Sequence, residues 1–169
     1  MDEMARRARV ARDETKLAAL CAESDLISFS ATDAERFHLR LRCRGLAELN
    51  GRFRYTVHHE AEVYLPAEYP LVPPVVEWRT PLFHPNILGG NHPHHPGATC
   101  LGPWSPSVYL DRLAVQLADM VSLRAYNLSS PLNPMAAQWV RLNLARVPVD
   151  RRPVRKVVTE GCEVQAVGL

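Results

Sequence analysis

The residue best equipped for covalent chemistry is Cys100, set in Gly97-Ala98-Thr99-Cys100-Leu101-Gly102. Small neighbours leave its sulfur reachable, and a thiolate is the strongest nucleophile among ordinary side chains. Upstream lies Asn86, whose amide could donate to an oxyanion as a tetrahedral intermediate forms. Between them run His92, His94 and His95, interleaved with Pro93 and Pro96. These histidines allow two roles. One is metal binding, with His84; the other is a base for an incoming amine or thiol, since imidazole titrates near pH ~6.5. The prolines restrict the segment and no carboxylate lies inside it. The expectation is therefore a solvated, proline-stiffened segment with no metal and no cofactor.

These residues lie in a stretch without periodicity, from Arg79 to Tyr109. A structureless segment of that length inside a compact domain usually carries function. Most of the fourteen prolines fall between Pro66 and Pro106, against only eight glycines in the whole chain. Prolines limit conformations without a hydrogen-bond ladder, which suits a segment that must hold a thiol still.

The flanking elements read as follows. Residues 4–21 form a helix, with Met4, Ala8, Ala11 and Ala18 near one face and Val10, Leu17, Leu20 and Cys21 beside them. Residues 37–44 alternate strictly: Phe37, Leu39, Leu41 and Cys43 point one way, His38, Arg40, Arg42 and Arg44 the other. The outer set reads as a solvated sheet face, with a second binding surface as the alternative. Asn50-Gly51 is a hairpin signal. Residues 53–65 alternate again, through Phe53, Tyr55, Val57, Ala61, Val63 and Leu65. Runs at 26–31 and 75–78 complete a four-stranded antiparallel meander. Leu110, Leu113, Ala114, Leu117 and Val121 mark a central helix, and a short helix is expected from Pro134 to about Leu144. The order is that of an α+β domain. We expect one core over 1–147 and an extended or poorly ordered tail over 148–169.

The chain of 169 residues is 47% hydrophobic and 22% charged, enough for a real core. A net charge of +2 is too mild to argue for nucleic acid. No run approaches the length of a membrane span. The start lacks a hydrophobic signal region, so a cytoplasmic protein is expected. Cys21, Cys43, Cys100 and Cys162 form no C-x-x-C pair, which speaks against a zinc ribbon and for free thiols.

Five segments stand in a telling order. They are Glu68-Tyr69-Pro70-x-x-Pro73-Pro74, Phe83-His84-Pro85-Asn86-Ile87, Thr99-Cys100-Leu101, Trp104-Ser105-Pro106 and Ser130-Pro131-Leu132-Asn133. Together they resemble the ubiquitin-conjugating enzyme family over roughly residues 4–140. The resemblance implies that family's fold: an N-terminal helix, the meander, a long active-site loop, a central helix and here an abbreviated C-terminal helix. It also implies a carrier chemistry. Cys100 would accept a ubiquitin-like modifier from an activating enzyme as a thioester, then pass it to a lysine of a target protein. Asn86 would stabilise the oxyanion or hold the loop in shape. His84 would bond loop backbone rather than catalyse, and Pro70 could carry a cis bond. Pro85 and Trp104 belong to the loop framework. Ser130 stands where many members place an acid near the incoming lysine, and serine supplies no charge there. Arg6, Arg7, Arg9 and Arg12 would dock the activating enzyme.

The chain departs from the family pattern in two places. Fourteen positions separate Asn86 from Cys100, more than is typical, and only four separate Cys100 from Trp104, fewer than is typical. Such departures resemble bacterial members from conjugation operons associated with phage defence. Two other readings stand beside this one. A non-catalytic binding module of the same fold would lack the cysteine. An unrelated thiol hydrolase would need a positioned histidine and an orienting acid, and no acid partner stands out.

Overall fold

The computed structural model describes residues 2–89 and 97–156. Helix α1 spans Glu3–Ala22. Asp2 caps it by accepting a bond from the Ala5 N–H at 2.7 Å. Its inward stripe is Val10, Asp13, Leu17 and Leu20, the spacing of one helical face. Met4, Ala8, Ala11 and Ala18 face solvent instead. Small alanines and an end-of-helix methionine bury little area, so the larger aliphatic residues decide which face turns inward.

The strands are β1 (Ile27–Ala31), β2 (Arg36–Leu41), β3 (Gly45–Leu49), β4 (Arg52–Thr56), β5 (His59–Tyr64) and β6 (Val75–Trp78). Four of them make an antiparallel sheet in the order β1-β2-β5-β6, which is the expected meander. Its inner face carries Phe37, Leu39, Leu41, Ala61, Val63 and Val76. Helices α1 and α2 (Leu110–Val121) complete that core through Leu17, Leu20, Leu113 and Leu117. Each such buried leucine contributes on the order of 1.5–3 kcal/mol. No described helix is long and apolar enough to cross a membrane.

The run at 53–65 is not one strand. It breaks at Val57-His58 into β4 and β5. The Asn50-Gly51 turn, with φ of 53° and 74°, folds β4 onto β3 as a separate two-stranded ribbon. Phe53, Tyr55 and Val57 are therefore exposed, although their parity matches the buried residues of β5. Phe53 stacks on Phe83 and Trp139 at 4.8 and 5.6 Å, against a second cluster of Leu46, Phe83, Leu123, Ala136 and Val140. That cluster seats α3 (Pro134–Leu142), capped by the Asn133 side chain.

Residues 148–156 form no helix or strand, yet they are fastened to the body. The buried Asp150 carboxylate accepts from the Arg44 N–H at 2.9 Å and binds Arg152. Arg152 also donates to the Arg42 carbonyl at 2.7 Å, and the Lys156 N–H reaches the Glu23 carbonyl at 2.7 Å. Arg152, with further bonds from backbone amides, holds the Asp150 carboxyl well below the usual carboxylate range. Residues 157–169, with Cys162, lie outside the described residues. Among the described residues, Cys21, Cys43 and Cys100 are free thiols.

Candidate active site

Cys100 is exposed, on a segment gripped on both sides. Upstream, residues 97–99 behave as a fragment of strand. Ala98 bridges Glu77 of β6, and Thr99 bridges Ile87. The Trp78 N–H donates to the Gly97 carbonyl, the Leu88 N–H to the Ala98 carbonyl, and the Cys100 N–H to the Asn86 carbonyl at 2.9 Å. The Trp78 indole adds a bond to the Thr99 hydroxyl at 2.9 Å. Gly97 is required here: its φ is 73°, and a Cβ would sit 2.7 Å from the Trp78 backbone.

Asn86 is 4% exposed and its side chain is a bracket. Its Oδ1 accepts from the Asn127 N–H at 2.6 Å, while Nδ2 donates to the Asn127 carbonyl at 3.0 Å. The second Nδ2 contact, to the Ser130 carbonyl, is long at 3.5 Å. The amide thus holds segment 127–130 against the loop.

His84 lies behind Asn86. Its Nδ1 accepts from the Asn86 N–H at 3.0 Å, so Nε2 carries the proton and donates to the Ala125 carbonyl at 3.1 Å. Burial pushes its pKa down to about 4. It is a neutral strut with both nitrogens engaged by backbone. Pro85 is buried, and its carbonyl accepts from the Asn133 N–H at 2.9 Å, joining the loop to the cap of α3. Ser130 is exposed.

Downstream, the link to α2 is held by side chains. Gln116 donates to the Leu101 carbonyl at 2.8 Å. The Trp104 indole donates to the Pro70 carbonyl at 2.8 Å, beside the cis Tyr69–Pro70 bond. Arg9 donates to the carbonyls of Pro106 and Val108. Arg9 is itself fixed by Asp13, which is fully buried. The Asp13 carboxylate accepts from Arg9 at 2.8 Å, from the Tyr69 hydroxyl at 2.7 Å and from the Leu110 N–H at 2.9 Å. The last bond caps α2, whose own N-cap residue, Tyr109, makes no side-chain cap bond. Burial, then the Asp13 charge, pushes the Tyr69 hydroxyl pKa up.

The four arginines of α1 therefore divide. Arg6 pairs with Glu35 at 2.8 Å and donates to the carbonyls of Leu65 and Pro66. Arg9 is turned into the loop. Arg7 and Arg12 remain on the solvent face, Arg7 with a side chain 77% exposed beside Glu3. His92, His94 and His95 lie outside the described residues. Among the described residues no group of three or more His, Cys, Asp or Glu could hold a metal. Sequence reasoning missed the Asp13 and Gln116 anchors and the anchoring role of Tyr69, which it named only within a motif. Their only signal was an acid falling on the apolar stripe of α1.

The arrangement places an exposed thiol on a segment held on both sides. A family model described as ubiquitin-conjugating enzyme matches residues 50–148. "Ubiquitin-conjugating enzyme E2 16" of Schizosaccharomyces pombe is 31% identical over 118 residues, covering 65% of this chain and 65% of that protein. "Ubiquitin-conjugating enzyme E2 N" of Macaca fascicularis is 32% identical over 83 residues, covering 46% and 49%. The chain thus spans less than two thirds of the length of these relatives. Two solved structures share the fold. A Trypanosoma cruzi ubiquitin conjugating enzyme has a TM-score of 0.59 at 19% identity, covering 83% of this chain and 95% of its own. A Toxoplasma gondii ubiquitin conjugating enzyme E2 domain has a TM-score of 0.55 at 22% identity, covering 80% and 88%.

Proposed function

The chain belongs to the ubiquitin-conjugating enzyme family, and from that premise we propose that Cys100 carries a ubiquitin-like modifier as a thioester. The Cys100 thiolate attacks the thioester that joins the modifier to an activating enzyme. The activating enzyme's thiolate leaves, and the modifier is now bonded to Cys100. A target lysine amine then attacks the same carbonyl, gives up a proton, and expels the Cys100 thiolate. The product is an isopeptide. The protein has no need to supply binding pockets for small molecules; it must present one sulfur to large partners and steady the tetrahedral oxyanion.

The observation that carries this reading is the exposed Cys100 beside the Asn86 bracket. Asn86 both ties segment 127–130 in place and keeps one N–H in the long 3.5 Å contact, the bond most easily traded for an oxyanion. His84, neutral and doubly engaged, supports the bracket rather than moving protons. Arg7 and Arg12 remain for docking the activating enzyme through charge. The long segment before Cys100 and the short link after it support a bacterial member of an antiphage conjugation operon, working in the cytoplasm; neighbouring genes for an activating enzyme and a modifier would test that placement. To test the chemistry, the protein is incubated with modifier, activating enzyme and ATP and resolved without reductant. The expected adduct disappears with dithiothreitol and in Cys100→Ala. An adduct that survives in Cys100→Ala would overturn the assignment.

A further inference from the structure

The segment between Cys100 and α2 has no regular structure, yet it ends at a node of buried charge. Asp13 is fully buried. It holds Arg9 through Nε at 2.8 Å, the Tyr69 hydroxyl at 2.7 Å and the Leu110 amide at 2.9 Å. Arg9 uses its remaining N–H groups on the Tyr69 hydroxyl at 3.0 Å and on the carbonyls of Pro106 and Val108. Its guanidinium also stacks 4.1 Å from the Tyr109 ring centroid. A planar fork with five donors can do all of this at once, and an ammonium cannot. Helix α1 therefore reaches across and grips two carbonyls of the link that leads back to the nucleophile.

From these contacts we infer that Arg9, oriented by Asp13 and Tyr69, is a positioning residue for Cys100. This rests on the proposed thioester chemistry and deepens it. Pro106 and Val108 lie beyond Trp104, and the stretch back to Cys100 is itself tethered by Gln116 on the Leu101 carbonyl and by the Trp104 indole on the Pro70 carbonyl, so a shift at the node passes along a held link to the sulfur. Displacing Pro106 or Val108 tilts the sulfur away from the carbonyl it must attack, and small misplacements of reacting groups are costly to rate. The node also makes α1 two-sided. Arg7 and Arg12 look outward to a partner, while Arg9 looks inward to the loop.

The test compares Arg9→Lys and Tyr69→Phe with Val154→Ala, a packing change in the C-terminal segment that removes none of the node's hydrogen bonds. Arg9→Lys keeps the charge and loses the fork. Tyr69→Phe keeps the ring and loses one hydroxyl, so it remains informative if Arg9→Lys folds poorly. The first readout is the rate at which iodoacetamide alkylates Cys100, followed on the Cys100 peptide by mass spectrometry across pH. It needs no modifier, so it stands even if no thioester ever forms. The second readout is single-turnover discharge of the thioester to free lysine. With all variants compared at equal distance below their unfolding midpoints, Arg9→Lys should slow discharge roughly tenfold and Tyr69→Phe by roughly threefold. Both should change the alkylation rate or its pH midpoint, and Val154→Ala should change neither. If both node variants keep the wild-type alkylation profile, or if all three follow their loss of stability alike, the node is only structural and the inference fails.

Discussion

The two limbs that meet at Cys100 are held by different means. The upstream limb, residues 84–89 and 97–99, is held largely through main chain: bridges to Glu77 and Ile87, a histidine whose two nitrogens both bind main chain, and an Asn86 amide that also binds main chain, with one side-chain pair, Trp78 to Thr99, beside them. The downstream limb, residues 101–109, is held by side chains reaching in from α1 and α2 and by its own Trp104. Backbone ladders tolerate most substitutions but fail where a Cβ intrudes. Side-chain anchors fail one bond at a time. Cys100 is mounted between the two.

The comparison predicts its largest effect at Gly97. Gly97→Ala places a Cβ against the Trp78 backbone at a positive φ; urea unfolding should show a loss of about 2–4 kcal/mol. A loss under about 0.5 kcal/mol, the range of an ordinary surface change, would show that the upstream limb is not a rigid ladder.

The next effect is a pH dependence of the same limb. The His84 pKa is lowered from 6.5 to about 4 in the folded protein. The unfolded chain therefore takes up a proton first as pH falls. Stability is complete above pH ~6.5 and declines toward pH ~4, by about 3 kcal/mol in all. Burial lowers the His59 pKa as well, so it acts in the same direction. His84→Gln should flatten part of this slope in chemical denaturation measured between these pH values. An unchanged slope would mean that His84 is not the buried neutral strut described.

On the downstream limb a single anchor should cost less. Trp104→Phe keeps an aromatic ring and removes the 2.8 Å bond to the Pro70 carbonyl; the expected loss is about 1 kcal/mol. A cost equal to that of Gly97→Ala would erase the distinction between the limbs. The smallest effect on stability is expected outside both. Replacing Arg7 and Arg12 with Glu should leave the midpoint within about 0.5 kcal/mol. It should nonetheless slow charging of Cys100 at low salt, with the difference shrinking as salt rises.

The legibility of these regions in sequence follows the same division. The alternation of Phe37, Leu39, Leu41 and Cys43 declared β2, and the spacing of Leu110, Leu113 and Leu117 declared α2, because burial there has a period. Residues 53–65 misled because period two survives a break: Val57-His58 turns the ribbon away while parity stays intact. The short bridges around Gly97 and Thr99 have no period and left no trace beyond a glycine. Arg6 and Arg9 could not be told from Arg7 and Arg12 by composition. Arg9 is set apart by Asp13, an acid on the inner stripe of α1, and Arg6 by Glu35; a buried charge is read only once its partners are known. Cys100, Asn86 and His84 were legible as candidates through the order of their motifs, but the two-sided mount was not.

The central claim is that Cys100, and no other residue, receives the modifier. It is tested most directly by peptide mapping of a Cys100→Lys variant after incubation with modifier, activating enzyme and ATP. The account predicts a single reductant-stable isopeptide at position 100, because the lysine amine stands where the sulfur stood and cannot act as a leaving group. A modifier attached at another residue, with position 100 unmodified while wild-type protein is charged under the same conditions, would contradict it.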